Sequence, residues 1–406
     1  MSASTTGHGN DEQRARVVQP VLAGLIAAVV GFASTFTVVL AGLGAVGASP
    51  SQAESGLFAI CLVLAVLGMT LSWHTRMPIS IAWSTPGAAL LVSTGAVDGG
   101  YAAAIGAFAV AGSLTVVAGL WPMVGRWVAA IPAPFAQALL AGVLLPICLS
   151  PAKAVVAEPE MMIPVVAAWL LMMRVARRWT VPVVVVVAAI AVAFNAPADA
   201  SVNMALPRFD WITPTVNVGT MIGLGVPLFI VTMASQNVAG MVVLRSFGYQ
   251  PRFGPLLVTT GAATAVTAPL GVHGVNLAAL SAAMVAGPEA EADHDRRWIA
   301  GCANGFAYLL LGLFAGIAAS LVSIAPLIVV SAVAGLALLP ALTGALAGAM
   351  ADASMREGTV IVIVVSASGI TAGGISGPFW GLAAGLTFHA VQRWGRPGTP
   401  EASSVP

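Results

Sequence analysis

The chain has 406 residues, of which 59% are hydrophobic and only 8% charged; soluble domains carry about 25% charged residues, so a soluble globular protein is excluded. A net charge of +1 also excludes the basic footprint of a nucleic-acid-binding protein. The three cysteines, Cys61, Cys148 and Cys302, sit in apolar segments without metal-ligand spacing and read as reduced packing residues.

The N-terminus is polar through Arg16 and lacks a secretory cleavage pattern. The first apolar run, about 17–46, is too long for a signal-peptide core and predicts a long first span. At about 20 apolar residues per span, and fewer for a half-span, the chain divides into fourteen segments. The first seven lie near 17–46, 56–73, 79–95, 101–121, 128–149, 161–178 and 180–195. A polar, proline-containing loop at about 196–215 separates the halves. The second seven lie near 216–246, 254–270, 272–287, 298–320, 325–350, 358–371 and 376–394. Prolines in the fifth (Pro132, Pro134, Pro146) and twelfth (Pro340) predict kinks or interruptions. With the N-terminus in the cytoplasm, every basic residue except Lys153 and Arg208 falls on the cytoplasmic side. The positive-inside rule asks for this bias, with both termini cytoplasmic. Seven segments per half is an odd number, so the second half is inverted relative to the first, as in transporter repeats.

Two segments do not read as single helices. In residues 78–95, Ile79, Ile81 and Trp83 alternate with Ser80 and Ala82, a strand period. Ser84 or Thr85 then caps a helix with Pro86 at its first position. Residues 269–287 repeat the pattern: a proline, a few extended residues, a polar candidate cap at Asn276 and a small-residue helix closed by Gly287. Irregular backbone survives at membrane depth only where protein or water surrounds it. Two interrupted spans in corresponding positions of two halves point to a transporter's binding site. The first spans of the halves also echo each other: Ser34-Thr35-Phe36-Thr37-Val38-Val39-Leu40-Ala41-Gly42 parallels Thr232-Met233-Ala234-Ser235-Gln236-Asn237-Val238-Ala239-Gly240.

All 15 acidic residues fall at loops or segment ends and no basic residue falls mid-span. The membrane interior therefore holds no fixed charge apart from His273 when protonated. The intramembrane carboxylate usual in proton-coupled carriers is absent. A coupled proton would ride on His273, on a loop-edge acid or on the substrate itself. An anion would meet two helix N-termini, at 84–87 and 276–278, each with unpaired N–H donors and about half a positive charge; that favours a small carboxylate. Gln236 and Asn237 lie in a long apolar span, and Gln236 shares a helical face with Thr232 and Gly240.

Each candidate also has a plain structural reading. Ser84, Thr85 and Asn276 can be caps, and Gln236, Asn237 and Asn304 can hydrogen-bond neighbouring helices. His273 can be a satisfied buried histidine and Trp83 a packing residue. Arg174, Arg177 and Arg178 read as topology determinants, residues 289–297 as a solvated cytoplasmic loop, and Asp352, Arg356 and Glu357 as a local ion network. Nothing matches a phosphate loop, a nucleophile elbow or a metal cluster, so no cofactor, metal or enzyme activity is expected.

Pro-Ile-Ser-Ile-Ala-Trp-Ser-Thr-Pro-Gly-Ala-Ala-Leu-Leu at 78–91 resembles the signature of the benzoate membrane transport (BenE) family. Gly-Val-Pro-Leu-Phe-Ile-Val-Thr-Met-Ala-Ser-Gln-Asn at 225–237 with the 245–249 tail is similar too. So is Gly-Val-Asn-Leu-Ala-Ala at 274–279 followed by Gly-Pro-Glu-Ala at 287–290. The resemblance runs from about 17 to 394. It implies a benzoate/proton symporter with the uracil-permease and sulfate-transporter type of fold. That fold is all-α and integral to the membrane, with 14 transmembrane segments in two inverted seven-segment repeats; the third and tenth are broken spans. It implies a core domain of segments 1–4 and 8–11 (residues 17–121 and 216–320) and a gate domain of segments 5–7 and 12–14 (residues 122–215 and 321–394). Cytoplasmic tails occupy 1–16 and 395–406. By the same resemblance Ser84, Thr85, Gln236, Asn237, His273 and Asn276 line the substrate site. Nucleobase members supply glutamates from segments eight and ten, where this chain has amides.

The expectation is a secondary-active importer of benzoate or a close aromatic carboxylate in a bacterial-type cytoplasmic membrane. A proton would accompany it, with His273 as the coupling candidate, and access would alternate. The ring would rest on Phe36 and Trp83; Thr37 and Thr232 complete the predicted lining. The alternatives are a carrier on the same fold for another small anion or a nucleobase, and a passive anion channel. Exposed gate-domain faces would allow a homodimer.

Overall fold

The computed structural model describes residues 6–121, 132–195, 207–278, 280–372 and 375–393. Arg126, Arg396, the opening of the fifth predicted segment, most of the 196–215 loop and the C-terminal tail lie outside the described residues. The molecule is mostly helical because its segments are apolar on every side, the pattern of helices whose surroundings are lipid or other helices. Leu120, Leu171 and Phe194 point outward from the helix surfaces.

The first half contains α1 (Thr6–Ala45), α2 (Pro50–Thr75), β1 (Ile81–Trp83), α3 (Thr85–Thr94), α4 (Gly100–Leu120), α5 (Ala133–Cys148), α6 (Ser150–Ala157), α7 (Pro159–Val175) and α8 (Thr180–Asn195). The second contains α9 (Val218–Ser246), α10 (Phe253–Thr267), β2 (Val275–Leu277), α11 (Leu280–Ala286), α12 (Trp298–Gly312), α13 (Ala315–Ile324), α14 (Leu327–Ala349), α15 (Arg356–Ala367), a short hairpin of β3 (Thr371–Ala372) and β4 (Ile375–Ser376), and α16 (Gly377–Arg393). Among the described residues, seven helices are long and apolar enough to cross a membrane. They are α1 from Val18, α2, α4, α5 continued by α6, α9, α10 with its 3₁₀ extension, and α14.

The centre of the molecule is a pair of strands. β1 and β2 pair antiparallel, with Ile81 opposite Leu277, Ala82 opposite Asn276 and Trp83 opposite Val275. The ladder extends at both ends: Ser84 N–H donates to Gly274 O and Ala278 N–H to Ser80 O, each at 3.0 Å. Extended backbone in an apolar interior has no water to bond, and here each broken span satisfies the other. Small residues let the neighbouring helices close around the pair. A methyl group on Gly42 of α1 would lie 2.6 Å from Ala88 O of α3, and one on Gly240 of α9 would lie 2.8 Å from Ala278 O just before α11. These are the last residues of the two echoing sequences. Likewise a methyl on Gly112 of α4 would meet Ala265 N of α10 at 2.6 Å, and one on Gly305 of α12 would meet Met69 N of α2 at 2.9 Å.

The structure departs from the sequence expectation in several places. Residues 298–320 are not one helix: α12 and α13 meet at a 54° bend after Gly312, which abuts Cys61, a small residue of the kind at which helices bend. Pro132 and Pro134 stand at the start of α5, where a missing N–H is tolerated, and the opening of the fifth predicted segment before them lies outside the described residues; Pro146 and Pro340 lie inside α5 and α14. Asn276 caps no helix: it lies in β2, and α11 begins at Leu280. The 289–297 loop is not simply solvated, since Arg297 and Glu291 are buried. Nor do Asp352, Arg356 and Glu357 form an ion network. Asp352 accepts from the Ser354 hydroxyl and N–H, which hold its carboxyl below the usual range, Arg356 donates to Met350 O and Glu357 accepts from Gln392.

Candidate functional site

Ser84 is where the two broken spans join. Its hydroxyl caps α3 by accepting from Gly87 N–H at 3.0 Å, and shares a 2.6 Å hydrogen bond with Thr232 of α9. Its carbonyl accepts from Ala88 N–H and lies 3.1 Å from His273 Nε2. With the Asn276 amide oriented by its hydrogen bonds, its oxygen accepts from Ser84 N–H at 3.0 Å and its nitrogen donates to Leu277 O at 2.9 Å. Asn237 Oδ1 accepts from Leu277 N–H at 3.1 Å. Ser84, Thr232, Asn237, His273 and Asn276 are all buried, and their mutual bonds tie α3, α9 and β2 together. The N–H groups of Leu277 and Ala278, expected to face a ligand, are therefore paired with Asn237 and Ser80.

The helix α9 contains two π turns, Met221–Gly225 and Met233–Asn237. The second changes which side chains share a face. In a regular helix Gln236, four residues on, sits over Thr232. The wider turn brings Asn237 onto the buried side with Thr232 and leaves Gln236 half-buried. Among the described residues the Gln236 side chain makes no hydrogen bond, and Asn237 Nδ2 is buried without a partner. Such π turns occur frequently at functional sites. Thr85, the first residue of α3, is also half-buried, and neither its hydroxyl nor its N–H is paired among the described residues.

Trp83 is enclosed. Its indole N–H donates to Thr35 Oγ1 at 2.9 Å, and its ring meets Phe32 and Tyr308 edge-on at 5.7 and 5.6 Å. Phe36 stacks on Phe32 at 5.3 Å and, with Thr37, borders a cavity; the Thr37 hydroxyl is buried and unpaired. Since a carbonyl only accepts, His273 Nε2 carries the proton in its bond to Ser84 O, and Nδ1 is the ring nitrogen without a partner. A void of about 10 Å³ lies between His273, Thr115, Thr232 and Thr264, near the minimum that admits one water.

Several supporting residues escaped the sequence reading. Thr264 accepts from Val275 N–H at 2.9 Å. Ser80 bonds Ser281 at 2.8 Å and Asn304 Oδ1 at 3.2 Å; Asn304 Nδ2 donates to Gly24 O, the interhelical bond expected of Asn304 from the sequence. Arg297 donates to the carbonyls of Glu291, Ala286 and Ala292, so its charge sits at the C-terminal end of α11, where the helix dipole favours a cation. Hydroxyl-bearing residues four apart on an apolar helix were the available signal for Thr264; none marked Arg297. Among the described residues no three His, Cys, Asp or Glu side chains form a metal-binding group.

Apolar helices packed around two broken, mutually paired spans define a membrane transport protein. The same fold occurs in the transmembrane domain of the cyanobacterial bicarbonate transporter BicA. There the TM-score is 0.58 at 14% identity, over 91% of this chain and 97% of that one. It occurs also in the murine anion transporter Slc26a9 in its inward-facing state, with a TM-score of 0.60 at 13% identity, over 97% of this chain and 72% of that one. The benzoate membrane transport protein family matches residues 15–391, and the chain belongs to this family. It is 36% identical to the inner membrane protein YdcO of Escherichia coli K12 over 374 residues, 91% of this chain and 95% of the relative. It is 29% identical to the benzoate membrane transport protein of Acinetobacter baylyi over 381 residues, 91% and 94% of the two chains.

Proposed function

We propose that the chain carries benzoate or a closely related aromatic carboxylate, together with a proton, across a bacterial cytoplasmic membrane by alternating access. Family membership over residues 15–391 is the observation that carries this reading. The unpaired donors beside the strand pair support it: Thr85, Gln236 and Asn237 Nδ2 offer hydrogen bonds to a carboxylate without a formal counter-charge. A substrate held by dipoles and amides binds firmly enough to be selected and loosely enough to be released. In this reading Ser84, Asn276 and Thr232 build the site, Thr85, Gln236 and Asn237 bind the carboxylate, and Phe36 and Thr37 lie along the ring while Trp83 backs the site. The proton travels on the acid itself or on His273.

The remaining architecture follows the same reading. The halves are inverted seven-segment repeats, with a core of residues 17–121 and 216–320 moving against a gate of 122–215 and 321–394. Both termini are cytoplasmic, and the gate faces allow a homodimer. The antiparallel strand pair and the matched glycine crossings of α4 with α10 and α2 with α12 support the inverted repeat. The fold shared with a bicarbonate transporter favours another small anion as the second reading.

Benzoate uptake into proteoliposomes, with and without an inward proton gradient, tests the proposal. Saturable uptake accelerated by the gradient is expected. Equal uptake under both conditions removes the coupling, and large single-channel currents without counterflow replace the carrier by a channel. Stabilisation by bicarbonate or uracil but not by benzoate, read as a shift in Tm, moves the substrate to another class.

A further inference from the structure

A cavity of about 450 Å³ opens where α1 and α3 end beside α13 and α14. Leu40 and Gly44 of α1, Val92 of α3, Val322 of α13 and Val330 of α14 form its wall, with the hydroxyl of Ser323 among its few polar groups and no charged side chain. Val322 and Val330 also line a second cavity of about 50 Å³ bordered by Phe36 and Thr37. The two cavities thus adjoin at Val322 and Val330 and together follow about 10 Å of α1, a seam from Thr37 to Gly44. At its inner end the Thr37 hydroxyl is buried and has no partner. At its outer end a methyl group on Gly44 would meet nothing within 4 Å.

The volume lies within the roughly 300–1,000 Å³ of small-molecule sites. An uncharged apolar seam favours the transfer of an apolar ring out of water and penalises a bare hydrophilic anion. One hydroxyl at the inner end suits the polar end of the same molecule. We propose that this seam is a vestibule that holds the ring of an aromatic carboxylic acid on its way to the Thr85–Gln236 site, so that ring selection happens here and carboxylate recognition happens there. The proposal rests on the aromatic-carboxylate reading above.

The test uses Gly44→Cys in the full-length protein, reconstituted in lipid and reacted with a charged, water-soluble methanethiosulfonate reagent. Mass spectrometry separates the introduced thiol from Cys61, Cys148 and Cys302, and the benzoate-induced rise in Tm is measured on the same preparation. Saturating benzoate is expected to slow labelling of the introduced thiol several-fold, while acetate, a carboxylate without a ring, leaves it unchanged. Equal protection by acetate overturns ring selection. A benzoate-induced rise in Tm with an unchanged labelling rate overturns the vestibule and leaves the transport reading standing. A thiol that reacts only with a lipid-soluble maleimide, without benzoate protection, assigns the seam to a lipid chain and overturns the vestibule too. Absence of both the rise and the protection removes the transport reading and the vestibule together. Gly44→Trp, whose side chain grows into open space, is expected to elute as a folded protein, keep its benzoate-induced rise in Tm and take up benzoate several-fold more slowly. Unchanged uptake by this variant contradicts the proposal.

Discussion

The two broken spans look alike in sequence but are held by different means. The first is locally specified: Ser84 caps α3 three residues before the N–H it bonds, Pro86 presets the first turn, and α3 runs for 10 residues. The second is specified by its neighbours. Its helix α11 has 7 residues, the N–H groups of Leu277 and Val275 go to Asn237 of α9 and Thr264 of α10, and the carbonyl of Ala286, the last residue of α11, accepts from Arg297. One span therefore carries its own instructions, and the other takes its shape from the elements packed on it. The difference implies that distant substitutions loosen the second span while the first answers to residues within it.

Arg297→Leu presses hardest on that contrast. It leaves the carbonyls of Ala286, Glu291 and Ala292 without their donor, and hydrogen bonds to a charged group of this kind support a loss of about 3 kcal/mol. Thermal unfolding in detergent measures it, and a loss near zero would return the 289–297 loop to the solvated state. Ser84→Ala removes the cap and the Thr232 bond, for a loss of about 2 kcal/mol. In a double-mutant cycle with Thr232→Val the two should couple by at least about 0.5 kcal/mol; additive losses would mean that the 2.6 Å contact contributes nothing. Thr264→Val strands the buried Val275 N–H and should lower stability by about 1.5 kcal/mol, although Thr264 lies outside the broken span. Gln236→Ala should change stability by less than about 0.5 kcal/mol, since no bond is lost, yet weaken benzoate binding in calorimetry. A large loss of stability with normal binding would make Gln236 a structural residue.

The same contrast explains what the sequence made legible. The strand period of Ile79, Ile81 and Trp83, the Ser84 cap and Pro86 are local signals, and the first broken span was readable from them. The matching positions of the two spans in the halves pointed to a shared site, but nothing in the residue pattern announced the strand ladder between them. The helix start at Leu280 was not readable, because the polarity of Asn276 suggested a cap while strand pairing with Ala82 determines its conformation. The π turn at Met233–Asn237 leaves no mark in the residue pattern, so the i to i+4 rule grouped Gln236 with Thr232 and missed that Asn237 takes that face. Arg297 looked like any loop arginine; only the folded chain brings three carbonyls to it.

As proposed, the paired strands leave Thr85, Gln236 and Asn237 Nδ2 free to take a carboxylate in a site with no formal positive charge. A structure of the protein with benzoate bound tests it most directly. The account predicts carboxylate oxygens about 2.7–3.2 Å from donors of Thr85 and of Gln236 or Asn237, with the ring toward Phe36. Benzoate found with its carboxylate against an arginine or lysine side chain, away from the strand pair, would contradict it.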